Sequence, residues 1–256
     1  MIVLKTEQEI AKMRRAGKVV ATVLAELRER ARPGVKTIEL DQIAERIILQ
    51  HGAQPSFKNY KPQGAPYPFP ACICTSINDE VVHGIPGERR LREGDVLKID
   101  VGASVEGYHA DAAITVGVGA ISERAQRLIE VTQACLAAAI AAARSGNRSG
   151  DIGAAIQRVA ESRGFSVVRE YTSHGVGRAL HEGFTLPNFG QPGTGLLLRP
   201  GLTLAIEPMI NEGNYRTRVK RDGWTVATID GKLSAQFEHT VAITEGEAEI
   251  LTLINV

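Results

Sequence analysis

AKMRRAGKVVATVLAELRERARPGVKTIELDQIAERIILQHG, from Ala11 to Gly52, and ERAQRLIEVTQACLAAAIAAARSGNRSGDIGAAIQRVAESRG, from Glu123 to Gly164, align without a gap. In the first stretch Ile10, Met13, Ala16, Val20, Val23, Leu24 and Leu27 recur at three- and four-residue spacing. That period predicts one helix over Glu7–Arg32, stopped by Pro33-Gly34. A second helix follows, with Thr37 as N-cap and Glu39 in its first turn, carrying Ile38, Ile43, Ile47 and Ile48 to Gly52. The second stretch predicts the same pair over Glu123–Arg144 and Asp151–Arg163. Identities fall at Arg15/Arg127, Val19/Val131, Leu24/Leu136, Ala25/Ala137, Ala31/Ala143, Arg32/Arg144, Gly34/Gly146, Arg46/Arg158 and Gly52/Gly164. Amphipathic helices of similar composition match in part by themselves. Agreement at both the turn glycine and the terminal glycine favours duplication. Two α/β halves about a pseudo-twofold place a ligand site at their junction.

Around this frame the composition is that of an ordinary globular protein. Hydrophobic residues make up 43% and charged residues 23%, which excludes disorder and coiled coil. A net charge of +1 argues against nucleic acid as the main ligand. The apolar stretch near Ala134–Ala143 is too short and too Ala-rich to span a membrane. Three cysteines (Cys72, Cys74, Cys135) make no disulfide framework, and Met-Ile-Val-Leu-Lys-Thr-Glu-Gln has no leader-peptide pattern. The expectation is a cytoplasmic protein whose 256 residues allow one large domain or two small ones.

Strands are expected at Ala71–Ile77, Val96–Ala103 and Gly107–Val116, after an irregular loop over Ala53–Pro70 rich in proline. Asp100 and Asp111 each interrupt an apolar strand. With Val105-Glu106 at the centre of a tight hairpin, the two carboxylates stand opposite each other. Opposed like charges are destabilising unless a cation lies between them. A solvent-exposed face, or a register one residue away, is the alternative. Along Leu233–Thr244, Glu238 shares a face with Gln236 and Thr240, away from Phe237 and Val241. Glu207 ends the apolar run Leu202–Ile206 and precedes Pro208, which predicts a buried, extended carboxylate needing a ligand or hydrogen-bond donors. His174 and His181 frame Gly-Val-Gly-Arg-Ala-Leu, whose glycines argue against a helix. Four carboxylates and a histidine suit hard-to-borderline divalent ions. His181-Glu182 lacks the second histidine of a helical zinc motif, and Cys72-Ile-Cys74 lacks a second cysteine pair.

Taken together, Val81-Val-His83-Gly-Ile-Pro86, Lys98-Ile-Asp100-Val-Gly102 through Gly107-Tyr-His-Ala-Asp111, His174–His181, Ile206-Glu207-Pro-Met209 and Ser234–Thr240 resemble the motifs of methionine aminopeptidases. They cover nearly the whole chain in order. The chain length and the short His174–Glu207 interval resemble the bacterial type I form. The resemblance implies the pita-bread fold (α/β in content, α+β in layout), with two pseudo-twofold-related halves of antiparallel sheet flanked by helix pairs. It implies two divalent metal ions (Co, Mn, Fe(II) or Zn) on Asp100, Asp111, His174, Glu207 and Glu238. Asp111 and Glu238 would be common to both ions, and Glu207 would also carry protons. His83 and His181 would contact the peptide. Cys74, Tyr60 or Tyr67, Phe69, Leu180 and Trp224 are the pocket candidates. The implied enzyme is a monomer that removes initiator methionine before a small second residue, with the nascent chain as substrate and the ribosome as a candidate partner. Three positions depart from the family pattern: Leu180 stands where Phe is usual, and Gly102 and Ala205 replace hydroxyl residues.

Overall fold

The computed structural model describes residues 2–253. In chain order its elements are α1 (Glu7–Arg30), α2 (Thr37–Gln50), β1 (Gln54–Pro55), β2 (Ile73–Ile77), β3 (Glu80–Val82), β4 (Val96–Val105), β5 (Tyr108–Gly117), α3 (Glu123–Ala142) and α4 (Ser149–Glu161). The second half continues with β6 (Ser166–Val167), β7 (Ser173–Gly175), β8 (Glu182–Leu186), β9 (Thr203–Ile206), β10 (Met209–Asn211), β11 (Thr217–Val219), β12 (Val226–Thr228), β13 (Ser234–Gln236), β14 (His239–Ala242) and β15 (Glu249–Ile250). No described helix is long and apolar enough to cross a membrane.

The repeated helix pairs match in their turn dihedrals and in the hydrogen bonds of those turns. Thr37 and Ser149 both open the second helix of their pair. Gly34 and Gly146 turn at φ +92° and +88°, and Gly52 and Gly164 at +67° and +79°. These values suit glycine because a Cβ crowds the backbone there. The Gly34 and Gly146 amides donate to Leu91 O and Leu198 O, while Ala53 N and Phe165 N donate to Ile48 O and Ala160 O. One expectation is corrected. Thr37 lies inside the helix rather than at its cap, which is Lys36, and its hydroxyl instead brackets the backbone N and O of Gly87.

Each helix pair covers its own antiparallel sheet. In the first, β4 carries β5 on one edge and β2 and β1 on the other; in the second, the order is β15-β14-β9-β7-β8. Leu97, Ile99 and Val101 turn toward Val20, Leu24, Leu27 and Leu40, and the alternate residues Lys98, Asp100 and Gly102 turn away from the helices. In the second half Ala235, Phe237, Val241 and Ile243 pack with Leu128, Leu136, Ile152 and Ile156, leaving Gln236, Glu238 and Thr240 on the other side. Both sheets therefore keep one greasy face and one face of buried polar groups.

The polar faces meet at a seam between β5 and β13–β14. Ala113 and Glu238 pair through their backbones. Two residues away on either side, threonine hydroxyls complete the join. Thr240 Oγ1 accepts from Asp111 N and donates to Asp111 O, both at 2.8 Å. Thr115 Oγ1 does the same for Gln236, accepting from its N at 2.9 Å and donating to its O at 2.6 Å. A hydroxyl can serve as donor and acceptor at once, so each threonine satisfies two buried backbone groups of the opposite half.

Helix α1 is also bound to distant parts of the chain. Lys5 N, just ahead of it, donates to Gly201 O at 2.7 Å. Arg14 holds Glu249 by two bonds of 2.5 and 2.8 Å. A Cβ on Gly17 would lie 2.0 Å from Leu251 O, so glycine is what lets the last strand segment lie against the helix.

Candidate metal centre and substrate pocket

The β4–β5 register decides where the first two carboxylates stand. The turn is centred on Glu106-Gly107, with φ of +50° and +76°, the two positive values that a two-residue hairpin of matching twist requires. Asp100 consequently faces Ala113, and Asp111 faces Gly102. The expected direct opposition is off by two residues. Because side chains alternate with a period of two, that slip leaves both carboxylates on the same face as diagonal neighbours.

In the second sheet Ala205 pairs with Thr240 on one side and His174 on the other, so these three side chains share a face. Glu207 follows Ala205 by two. Its backbone is pinned: Glu207 N donates to Ser173 Oγ at 3.0 Å, and Glu207 O accepts from Asn188 Nδ2 at 3.0 Å. Glu238 occupies the break between β13 and β14. Ser173, Asn188 and Thr115, and the bonding role of Thr240, are not legible in the sequence. Their bonds join residues 15 or more apart, and no local spacing announces them.

The result is a cavity into which Asp100, Asp111, His174, Glu207 and Glu238 all open. Ligand atoms of Asp111, His174 and Glu238 lie within 4.8 Å of one another. His174 Nε2 is 3.6 Å from Glu207 Oε1, and Gln236 Nε2 donates to Glu207 Oε2 at 3.3 Å. Burial first, then the neighbouring negative charges, pushes Asp100, Glu207 and Glu238 well above the ordinary carboxylate range. Burial likewise raises Asp111 to about 7 and lowers His174 to about 3. Three buried carboxylate oxygens, Asp100 Oδ1, Asp111 Oδ1 and Glu238 Oε1, have no hydrogen-bond partner among the described residues. Such oxygens are costly to bury. A divalent cation would satisfy them and favour the ionised carboxylates. The residues therefore fit a metal of the kind that takes oxygen and imidazole donors.

Beside the carboxylates the cavity is apolar. Phe57, Tyr60, Pro62, Phe69, Cys74, Leu180 and Trp224 line it, with His83 and His181 at the boundary between the two zones. Phe69 packs edge-on against Trp224 at 5.1 Å. Tyr67 lies outside: it is 38% exposed and its hydroxyl donates to Asp222 O at 2.7 Å. Phe57 is a lining residue missed in the proline-rich loop, which has no periodicity to read. Its ring also accounts for Gly102, because a Cβ there would come within 2.8 Å of Phe57 Cε1. His83 is held at φ +59°, a left-handed conformation costing a side-chain-bearing residue about 1–3 kcal/mol. Its ring is boxed by Tyr171 and Trp224 at 5.7 and 6.1 Å. Burial lowers both His83 and His181 to about 4.

The sequence profile of Metallopeptidase family M24 matches residues 11–245. A methionine aminopeptidase of Clostridium perfringens is 51% identical over 254 residues, covering 99% of this chain and 100% of that protein. Among solved structures, the methionine aminopeptidase of Thermotoga maritima is similar with a TM-score of 0.95 at 46% identity, covering 99% of this chain and 100% of that one. Prolidase from Pyrococcus furiosus shares the fold, with a TM-score of 0.78 at 21% identity, and this chain covers 66% of it.

Proposed function

The chain belongs to metallopeptidase family M24, and from that premise we propose that it removes N-terminal methionine from peptides whose second residue is small. The observation that carries the reading is the junction of the two zones of the cavity. A buried cluster of oxygen and imidazole donors adjoins an apolar pocket closed by aromatic rings and Cys74. Methionine is long, unbranched and polarizable, and such walls suit it.

In this reading Asp100, Asp111, His174, Glu207 and Glu238 would hold two divalent ions, Asp111 and Glu238 contributing to both. When bound, the ions supply Lewis acidity to the scissile carbonyl and make water a nucleophile near neutral pH. Glu207 takes a proton from the attacking water on its carboxylate and passes it to the departing amine nitrogen. His83 and His181 hold the peptide by hydrogen bonds, and their depressed basicity keeps both rings neutral at pH 7. Phe57, Tyr60, Phe69, Leu180 and Trp224 exclude water around the first side chain. Leu180, smaller than an aromatic ring, leaves room for leucine, because one methylene in such a pocket is worth only about 1–3 kcal/mol.

The reading extends to a monomeric cytoplasmic enzyme that meets nascent chains, and hence the ribosome. Three free, buried cysteines accord with a reducing compartment. The test is release of the first residue from Met-Ala-Ser and from Ala-Pro peptides, with and without chelator. Met-Ala-Ser should be cleaved, cleavage should stop on chelation, and Co, Mn, Fe(II) or Zn should restore it. Cleavage of Ala-Pro alone, or full activity in protein shown metal-free by elemental analysis, would overturn the reading.

A further inference from the structure

The loop that borders the apolar pocket reaches the imidazole of His181 directly. Tyr60 OH lies 2.8 Å from His181 Nδ1, and the two rings stack at 5.3 Å with their planes 28° apart. His181 also lies against His174, with ring centroids 4.2 Å apart and planes at 42°. Two rings and one hydrogen bond thus contact the imidazole. Tyr60 is itself held within its loop: its N donates to Phe57 O at 2.9 Å, and its O accepts from Phe69 N at 2.9 Å.

The direction of the Tyr60–His181 bond follows from counting donors and acceptors. A phenol carries one proton to donate, and a neutral imidazole has one donor nitrogen and one acceptor. Among the described residues His181 Nδ1 is the only hydrogen-bond partner of the Tyr60 hydroxyl. Were Nδ1 the protonated nitrogen, the phenol proton would point at no acceptor in a half-buried, apolar pocket. With Nδ1 as acceptor, the ring's own proton sits on Nε2, at the free end of the imidazole. The bond made by one ring nitrogen sets the state of the other.

We propose that Tyr60 is a positioning residue that fixes His181 in the tautomer carrying its proton on Nε2, and so makes it a hydrogen-bond donor toward the peptide. The catalytic consequence rests on the reading of His181 as a peptide contact; the tautomer does not. Because Tyr60 also lines the pocket for the first side chain, one residue links recognition of that side chain to the donor acting on the adjacent carbonyl. Leu180, which precedes His181, lines the same pocket.

The experiment is nitrogen NMR of histidine-labelled protein, with the His181 signals assigned by their loss in His181→Ala. It is run on metal-free and zinc-loaded samples. The expected result is an unprotonated, hydrogen-bonded Nδ1 and a protonated Nε2 in both samples. In Tyr60→Phe, which keeps the ring and removes the hydroxyl, the Nδ1 signal should move to the position of an unbonded nitrogen. In the same variant kcat for Met-Ala-Ser should fall roughly tenfold, the lower end for losing an orienting partner, with KM unchanged. Placing 4-aminophenylalanine at position 60 restores a donor and should recover kcat. A proton on Nδ1 in the unmodified protein would overturn the proposal. So would a Tyr60→Phe loss falling wholly in KM, or an unchanged kcat. If Met-Ala-Ser were not cleaved at all, the functional reading would fail while the metal-free NMR result would still decide the tautomer.

Discussion

The N-terminal half carries Asp100 and Asp111 on a hairpin of two ten-residue strands with unbroken register. The C-terminal half carries His174, Glu207 and Glu238 on strands of three or four residues or just beyond their ends, beside a register shift, a proline and a break in pairing. The helix pairs above them remain alike in turn dihedrals and turn hydrogen bonds. The difference separates two kinds of constraint. A turn at positive φ accepts few residues other than glycine, so Gly34 and Gly146 match. A cation asks only for an oxygen or nitrogen within reach, so unlike strands can supply it.

The sharpest way to break this comparison is to remove one carboxylate of the proposed centre from each half. Asp111→Asn and Glu238→Gln should each lower kcat/KM by more than about 10²-fold, beyond what losing an orienting neighbour of a ligand costs. Tightly held metal, counted by elemental analysis, should fall in both. Loss in only one variant would mean that one half suffices.

Next come the seam threonines. Thr240→Val and Thr115→Val each strip partners from one buried N–H and one buried C=O across the seam. Each should cost about 1–3 kcal/mol in urea unfolding. Thr240→Val should in addition weaken metal retention, since its hydroxyl holds the backbone of Asp111. Equal metal retention in both variants would separate the seam from the site.

Gly34→Ala and Gly146→Ala probe the part of the halves that matches. Neither added methyl group meets another atom, so the cost is backbone strain alone, about 1–2 kcal/mol at each position. Unequal losses would show that the two turns are no longer equivalent.

The smallest effect concerns a tie between the start of α1 and the segment after β7. Glu9 accepts from Thr6 N at the start of α1, and also from Arg178 and from the Tyr108 hydroxyl. The bond from the Thr6 backbone first, then those from Arg178 and Tyr108, lower its carboxyl from 4.5 to about 2. A group depressed in the folded state stabilises above its unfolded value and loses that contribution as pH falls through the folded one. Glu9→Gln should therefore lose about 0.2–1 kcal/mol at pH 6, as exposed ion pairs do, and match the unmodified chain near pH 2. A constant difference across that range would assign the effect to packing.

What could be read in the sequence was whatever a local period or a special dihedral records. The alternation through Ala235, Phe237 and Val241 separates the greasy face from the one bearing Glu238, while Asp100 and Asp111 stand out as interruptions of apolar strands. The hairpin register was off by two because its centre was set at Val105-Glu106. The Glu106-Gly107 pair, a side chain followed by glycine, was the available signal. Phe57 and the choice of Tyr60 over Tyr67 lay beyond reach for a different reason. A loop folded back by bonds from Asn59 N to Phe69 O and from Phe69 N to Tyr60 O has no repeat that orients its rings. The seam threonines act across 121 and 129 residues, a relation only the assembled structure contains.

The contacts of α1 with Gly201, Glu249 and Leu251 bear on how the molecule is made in time. Helix α1 has its flank and one face completed by segments made well after it, Arg14 and Glu249 lying 235 residues apart. Thr240, which braces Asp111, also accepts at its carbonyl from Leu251 N at 2.8 Å. During vectorial synthesis, in which earlier parts ordinarily fold first, the N-terminal half emerges with Asp100 and Asp111 in hand but without the strand that braces them. The backbone bond from Leu251 to Thr240 can form only after residue 251 has been made. The support of Asp111 therefore follows its own strand in time, although the two lie side by side in the fold.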